Sequence, residues 1–129
     1  METRKISMDM HYNMHIITSL FSFFTGEADP DQFLPLLTAS IQEVRSILLE
    51  NADESDTRLC YLVASVANLR YTEIHGAREN CLATYAGTIS RESDSAQRMR
   101  FAQQLVRSYQ TLCRDLIQNA DAFLISTRG

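Results

Sequence analysis

The sequence predicts a mainly all-α fold, a compact bundle of four to five helices around one central apolar helix. The segment from Asp56 to Tyr71 reads DTRLCYLVASVANLRY, and only Ser65 and Asn68 interrupt its apolar middle. A helix that is apolar on nearly every side belongs in the interior, with other helices packed against it. Amphipathic helical patterns flank this segment, and the chain has only 4 glycines and 2 prolines, which argues against disorder.

The length of 129 residues suits one domain, residues 1–129, with no internal repeat or linker. Residues 1–7 show no clear pattern and are expected to fray. From Met8 onward apolar side chains recur at helical spacing, and Gly26 is well placed to end this first helix. Its aromatic residues are expected to close one end of the core, the alternative being a partner-binding helix. They are Phe21, Phe23 and Phe24.

The second helix has two possible starts. Asp29 followed by Pro30 fits an N-cap with proline at the first helical position. Pro35 would clash with the preceding turn, so either that turn is kinked or the helix begins near Leu34. An amphipathic pattern then continues to an end near Asn51. Its apolar stripe is Phe33, Leu37, Ile41, Val44 and Leu48, widened by Leu36 and Ile47.

The central helix is expected to be capped by Asp53 or Ser55 and to end at Gly76. Small side chains at Ala64 and Ala67 would let a neighbouring backbone approach it closely.

Residues 77–93 break the helical pattern, and we expect an extended loop or hairpin arm near residues 79–92. A connection this long is uncommon in a small helical domain unless it has a function, so this arm is the best functional candidate; the alternative is a mobile surface loop. The signals for extended structure and a turn are Thr84, Tyr85, Gly87, Thr88 and Ile89.

The last helix is predicted to begin at Asp94, which forms a capping-box pattern with Gln97, and to end at Asn119–Asp121. An apolar tail follows in residues 121–129, and it either folds back on the bundle or packs on a neighbour. The predicted core stripe is Ala102, Leu105, Val106, Tyr109, Leu112, Cys113, Leu116 and Ile117. The arginines off this stripe are Arg98, Arg100, Arg107 and Arg114.

The net charge of −4 is unevenly distributed. Residues 1–56 hold ten acidic and three basic side chains, a net charge of −7, whereas residues 57–129 hold nine arginines and six acids, a net charge of +3. A solvated surface explains such a pattern. The alternative is an acidic flank that meets the basic flank of a second copy, a head-to-tail contact that can close into a ring.

The sequence contains no pattern typical of an enzyme, a cofactor site or a metal site. His11 and His15 are spaced for one metal ion, but no third ligand is indicated, so we interpret them as surface histidines. Glu73 and His75 are interpreted as structural residues near a helix end. The three cysteines include no C-x-x-C pair, and Cys60 and Cys113 fall on apolar faces; buried thiols in a reducing cytoplasm are expected.

No targeting or membrane segment is predicted. The apolar run from Ile16 to Phe24 is too short to cross a bilayer, and the amino terminus does not resemble a signal peptide. The arginines of the last helix suggest nucleic acid, but Arg98, Arg107 and Arg114 do not share one face, and no helix-turn-helix pattern precedes them.

The order of these features resembles the small head–tail connector proteins of long-tailed phages and prophages. An aromatic segment ends in FTGE, the helix DTRLCYLVASVANLRY follows an amphipathic one, and a polar arm, ATYAGTISRESDSA, precedes a long helix and the tail LIQNADAFLISTRG. The resemblance covers about residues 20–127 and implies a non-enzymatic subunit of a homo-oligomeric ring docked at the portal. It implies location in the bacterial cytoplasm during assembly and then in the virion.

The resemblance further implies that the arm and the tail contact neighbouring subunits or the next ring. The partners would be the chain itself, the portal protein and a neighbouring head-completion or tail protein, with the DNA that passes through the ring as a further candidate. The expected protein-interface residues are Thr84, Tyr85, Gly87, Thr88 and Ile89 in the arm and Phe123, Leu124 and Ile125 in the tail.

Two other functions are consistent with the same residues. One is a cellular helical adaptor or regulator whose first helix and tail bind a partner protein. The other is a ligand-binding helical bundle, with or without enzymatic activity, that has a pocket beside Tyr61, Tyr71 and Tyr109.

Overall fold

A computed structural model describes the backbone of residues 2–83 and 89–118 and the side chains of residues 13–76 and 95–118. Within these residues the chain is helical and contains no β-strand. The elements are α1 (Glu2–Thr25), a 3-10 helix (Pro30–Phe33), α2 (Leu34–Ser46), α3 (Thr57–Ala83) and α4 (Ile89–Leu112). Because α1, α2 and α4 each pack on α3, the predicted all-α bundle around a central helix is confirmed.

The core surrounds the middle of α3. Every residue from 62 to 69 is buried, including Ser65, whose hydroxyl donates to the carbonyl of Leu62 at 2.7 Å. Ala64 and Ala67 are completely buried, as the prediction of close helix approach requires. The other helices contribute Ile17 and Phe21 from α1, Leu37 and Val44 from α2, and Ala102 and Val106 from α4.

Helix α1 ends where predicted but begins earlier. Gly26 has a φ of +80°, a conformation that favours glycine, and its N–H donates to the carbonyl of Ser22 at 2.8 Å. The helical backbone begins at Glu2, whereas the pattern predicted a start near Met8. Phe21 is completely buried, but the expectation that Phe23 closes the core is wrong, because its side chain is 83% exposed.

Both predicted starts of the second helix occur, as two different helices. The Asp29 carboxylate accepts from the N–H of Asp31 at 3.2 Å and caps the 3-10 helix that begins at Pro30. α2 then starts at Leu34, with Pro35 in its first turn, where its missing N–H costs no hydrogen bond.

Helix α2 ends at Ser46, so the predicted end near Asn51 is wrong. The residues that follow α2 pair with residues 116–118, after α4, which is a tertiary interaction. Leu48 and Ile117 form an antiparallel bridge; Leu49 N–H donates to the Leu116 carbonyl at 2.9 Å, and Gln118 N–H donates to the Ile47 carbonyl at 2.7 Å.

The central helix is capped by Asp56 rather than by the predicted Asp53 or Ser55. The Asp56 carboxylate accepts from Arg58 N–H at 3.0 Å, whereas the Asp53 carboxylate closes a turn by accepting from Ser55 N–H at 3.0 Å. The predicted end at Gly76 is also wrong, because α3 continues to Ala83 and Gly76 is not in the left-handed region that would end a helix.

The predicted arm is largely helical. Residues 77–83 belong to α3 and residues 89–93 to α4, so α4 begins five residues before the predicted capping box at Asp94. Arginine and glutamate in both flanks, with alanine and leucine in residues 77–83, are good helix formers, and they outweigh the extended-structure signals there. Residues 84–88 lie outside the described residues.

Helix α4 ends at Leu112, before the predicted decay at Asn119–Asp121. Turns follow, and Cys113, Leu116 and Ile117 remain buried as expected. Leu112 is exposed although it was predicted in the core, and Gln110 was missed although its side chain is buried and its Nε2 has no hydrogen-bond partner. No described helix combines the length and apolar character that a bilayer crossing requires.

Candidate binding groove and arginine face

Arg58 joins the start of α3 to the end of α4. Its guanidinium donates to the Asp56 carboxylate at 2.9 Å, to the Asp115 carboxylate at 3.0 Å and to the Leu112 carbonyl at 3.0 Å. These hydrogen bonds lower the pKa of Asp56 and of Asp115 below the ordinary value of 3.8. Arg58 pairs with both carboxylates within the molecule, so we interpret this cluster as structural.

This cluster predicts an acid-dependent loss of stability. Because both carboxyl pKa values are lower in the native state, the stabilisation is present above the unfolded-state pKa near 3.8 and is lost as pH falls below it. We expect Arg58→Gln to lower the urea midpoint at pH 7, and the difference from wild type to shrink as pH falls to 2.5. Arg107→Gln removes an exposed arginine without an ion pair to a described residue, so its midpoint should match wild type when both proteins are dilute enough to be monomeric. An Arg58→Gln difference that stays constant with pH would contradict the linkage.

A second set of ion pairs fixes α2 against α3. Arg70 donates to the Glu43 carboxylate at 2.7 Å and to Glu73 at 3.2 Å. Glu73 and His75 were predicted near a helix end, but α3 continues past Gly76, so they lie within the helix. Glu73 pairs with Arg70, and the ring centroids of His75 and Tyr71 lie 4.4 Å apart. Both are structural contacts.

A cluster of aromatic rings packs α1 and the 3-10 helix against α3. The Phe21 ring centroid lies 5.4 Å from that of Phe33 and 5.7 Å from that of Tyr71. The Tyr71 hydroxyl donates to the Glu27 carboxylate at 2.5 Å. These contacts place the end of α1 beside the middle of α3.

An open groove of about 1180 Å³ lies between the end of α1, α3 and the first half of α4. Apolar side chains form much of its wall, and Phe101 is 70% exposed. Asn68 lines the groove and is only 9% exposed, and its backbone carbonyl accepts a hydrogen bond from the Thr72 hydroxyl at 2.7 Å. The apolar lining residues are Phe24, Tyr71, Met99, Phe101, Ala102 and Leu105.

The predicted tyrosine pocket is not formed by all three tyrosines. Tyr71 lines the groove, but Tyr61 and Tyr109 pair with each other at 5.7 Å between ring centroids and do not line it. A second cavity, of about 70 Å³, lies between α1, α2 and α3 and is mostly apolar.

The outer side of α4 and the turn after it carry an arginine face. We define this face as Arg100, Phe101 and Arg107 in α4 and Arg114 in the turn. All four residues are exposed, and the three arginines recur every seven residues, close to two helical turns. None of them forms an ion pair with a described residue. Arg98, which the sequence pattern grouped with Arg107 and Arg114, does not belong to this alignment; Arg100 takes its place.

The described side chains show no group of three His, Cys, Asp or Glu residues that could hold a metal ion. His15 is exposed, as predicted for a surface histidine. Cys60 and Cys113 are free, buried thiols, and burial raises the pKa of each to about 11. A thiol with so little thiolate at neutral pH is a poor nucleophile.

The predicted interface residues lie almost wholly outside the described residues. Ile89 is the first residue of α4, although its side chain is not described. The other seven fall in residues 84–88 and 119–129; they are Thr84, Tyr85, Gly87, Thr88, Phe123, Leu124 and Ile125.

No protein-family model, curated protein or solved structure matches the chain.

Proposed function

We propose that this chain is a non-enzymatic structural subunit that assembles head-to-tail into a homo-oligomeric ring, as a head–tail connector of a long-tailed phage or prophage does. The observation that carries the proposal is the arginine face of α4. Three exposed arginines with no ion pair to a described residue, beside a 70% exposed phenylalanine, form a surface suited to an acidic partner.

The first part of the chain supplies the complementary charge. Residues 1–56 have a net charge of −7. Exposed acids lie before α2, at Asp29 and Asp31, and after it, at Glu50, whereas the exposed Glu54 pairs with Arg45. Because α2 and α4 both pack on α3 and make few contacts with each other, each charged region is free to meet a second copy. A repeated contact between unlike surfaces closes into a ring when its rotation permits.

The test is the mass of the purified full-length chain in low salt, by size-exclusion chromatography with light scattering and by electron microscopy. We expect closed multimers that dissociate as salt rises, because exposed charges are screened. Arg100→Gln with Arg107→Gln should shift the protein to monomers. The matched control is Thr38→Glu with Gln42→Glu, which makes the same change of net charge but on the exposed side of α2, within the acidic region, and should keep or strengthen assembly.

Other partners give different results in the same experiment. A wild-type monomer at all concentrations, alone and with portal protein, would overturn the proposal and favour a monomeric adaptor. Salt-dependent binding of duplex DNA by the monomer, abolished by Arg100→Gln with Arg107→Gln, would assign the arginine face to phosphate instead.

A further inference from the structure

We infer that the groove between α1, α3 and α4 is the docking site of the chain's own tail, with Phe123–Ile125 packed on its wall in the same copy. The sequence left two places open for this tail, its own bundle or a neighbour, and the inference selects the first. It goes beyond the proposed function and is independent of it, because a single copy can make this contact.

The end of the groove nearest the carboxyl end of α4 has an apolar wall. Leu105 lines it from α4 and Phe24 lines it from α1, and both side chains are only partly buried. The Phe24 ring centroid lies 6.4 Å from that of Tyr109, which is one turn further along α4. Asn68 of α3 completes this end of the groove. We call Phe24, Asn68 and Leu105 the near wall.

The chemistry of the groove suits an apolar segment. Tyr71 and Met99 extend the apolar surface beyond the near wall, and apolar side chains that cover such a surface are removed from water together with it. The only acid among the described lining residues, Glu73, pairs with Arg70. No unpaired carboxylate at the described groove therefore opposes an apolar occupant.

The tail has the matching composition. Residues 119–129 lie outside the described residues and read NADAFLISTRG, with polar residues on both sides of the apolar triplet Phe123–Ile125. They hold one acid, Asp121, and one base, Arg128, a net charge of zero. A short extended segment of this kind can place its apolar side chains in a groove while polar residues at both ends stay in water.

The tail begins beside the first turn of α3. The described chain ends at Gln118, three residues after Asp115, whose carboxylate accepts from the Arg58 guanidinium at 3.0 Å. Asn68 lies ten residues beyond Arg58, which is roughly 15 Å along the helix. The near wall is therefore roughly 15 Å from the start of the tail, measured along α3.

The tail is long enough to cover this distance. The five residues from Gln118 to Phe123 span at most roughly 17 Å when extended, and the seven residues to Ile125 span at most roughly 24 Å. The apolar triplet thus reaches the near wall with length left for a path that is not straight.

Covalent attachment favours the tail of the same copy over the tail of another. A short linker that spans the distance holds the two groups at an effective concentration of roughly millimolar. The tail of a second copy is present only at the concentration of the protein, so it loses this competition in dilute solution. Once the tail is docked, any other apolar segment must displace it to bind the near wall.

A tryptophan in the tail tests the inference in the full-length chain. The sequence contains no tryptophan, so Phe123→Trp introduces a single reporter. In a salt concentration that keeps the chain monomeric, its emission should be blue-shifted and protected from acrylamide, as expected for a buried indole. The emission should stay the same on about a hundredfold dilution, because an intramolecular contact does not depend on concentration.

Two further variants of the Phe123→Trp chain locate the contact. Leu105→Gln makes the near wall polar and should shift the emission to that of the urea-unfolded chain, while circular dichroism shows that the helices remain. The matched control is Leu34→Gln, which changes a 40% exposed leucine of α2 that does not line the groove. Its emission should equal that of Phe123→Trp alone.

A synthetic peptide of residues 119–129 probes the groove without relying on the reporter. Calorimetry should show that it binds a full-length chain with Phe123→Ser, Leu124→Ser and Ile125→Ser. Its affinity for the wild-type chain should be at least about tenfold lower, because the tail of that chain competes for the groove.

Three results would overturn the inference. They are an indole as exposed in Phe123→Trp as in the unfolded chain, a blue shift that Leu105→Gln leaves unchanged, and equal peptide affinity for the wild-type and triple-serine chains. A blue shift that disappears on dilution would overturn docking within one copy and assign the tail to another.

The proposed ring fails or stands separately from the tail. A chain that is monomeric in every salt concentration but keeps the blue shift would overturn the ring and support the docked tail. A chain that forms rings in low salt but has an exposed indole would overturn the docked tail and support the ring.

Discussion

Replacing Phe21 by alanine should lower the free energy of unfolding by about 3–5 kcal/mol, the usual cost of removing a buried aromatic side chain. Phe21 is completely buried and contacts the rings of Phe33 and Tyr71. Its loss therefore leaves a cavity where α1, the 3-10 helix and α3 meet. Urea unfolding of the dilute protein, followed by circular dichroism, measures the change.

Phe23→Ala is the matched control for this prediction. It removes the same atoms two residues away, from a side chain that is 83% exposed, so the change should stay within about 0.5 kcal/mol. Equal losses in the two variants would show that burial in this structure does not determine the stability of α1.

Replacing Ala67 by leucine should destabilise the fold by about 1–3 kcal/mol or more, because added methylene groups force neighbouring side chains and backbone apart. Ala67 is completely buried in the run from 62 to 69, where α3 is surrounded. Leucine has a helix propensity close to that of alanine, so the effect reports packing. Thermal and urea unfolding of the variant give the magnitude.

The control is Ala39→Leu on the exposed side of α2. It adds the same three carbons in a helix without filling the core, and the midpoint should remain close to that of wild type. An Ala67→Leu protein as stable as wild type would contradict the close approach of helices around α3.

The groove and the arginine face could be found only in part from the sequence. Asn68 was visible as a polar exception in an apolar helix, but its place in the groove wall depends on how α1 and α4 pack against α3. The alignment of Arg100, Arg107 and Arg114 was present in their spacing. That these arginines form no ion pair with a described residue, unlike Arg58 and Arg70, depends on the tertiary positions of the acids.

The sequence by itself determined the helical class, the central position of α3, the stop at Gly26 and the two starts at Pro30 and Leu34. These features follow from local rules, since apolar periodicity, positive φ and proline geometry act within a few residues. Only the tertiary structure decided where α2 and α4 end and which polar side chains are buried. Those outcomes depend on pairing between distant segments, such as Leu48 with Ile117 and Arg58 with Asp115, and no local pattern encodes which distant group will arrive.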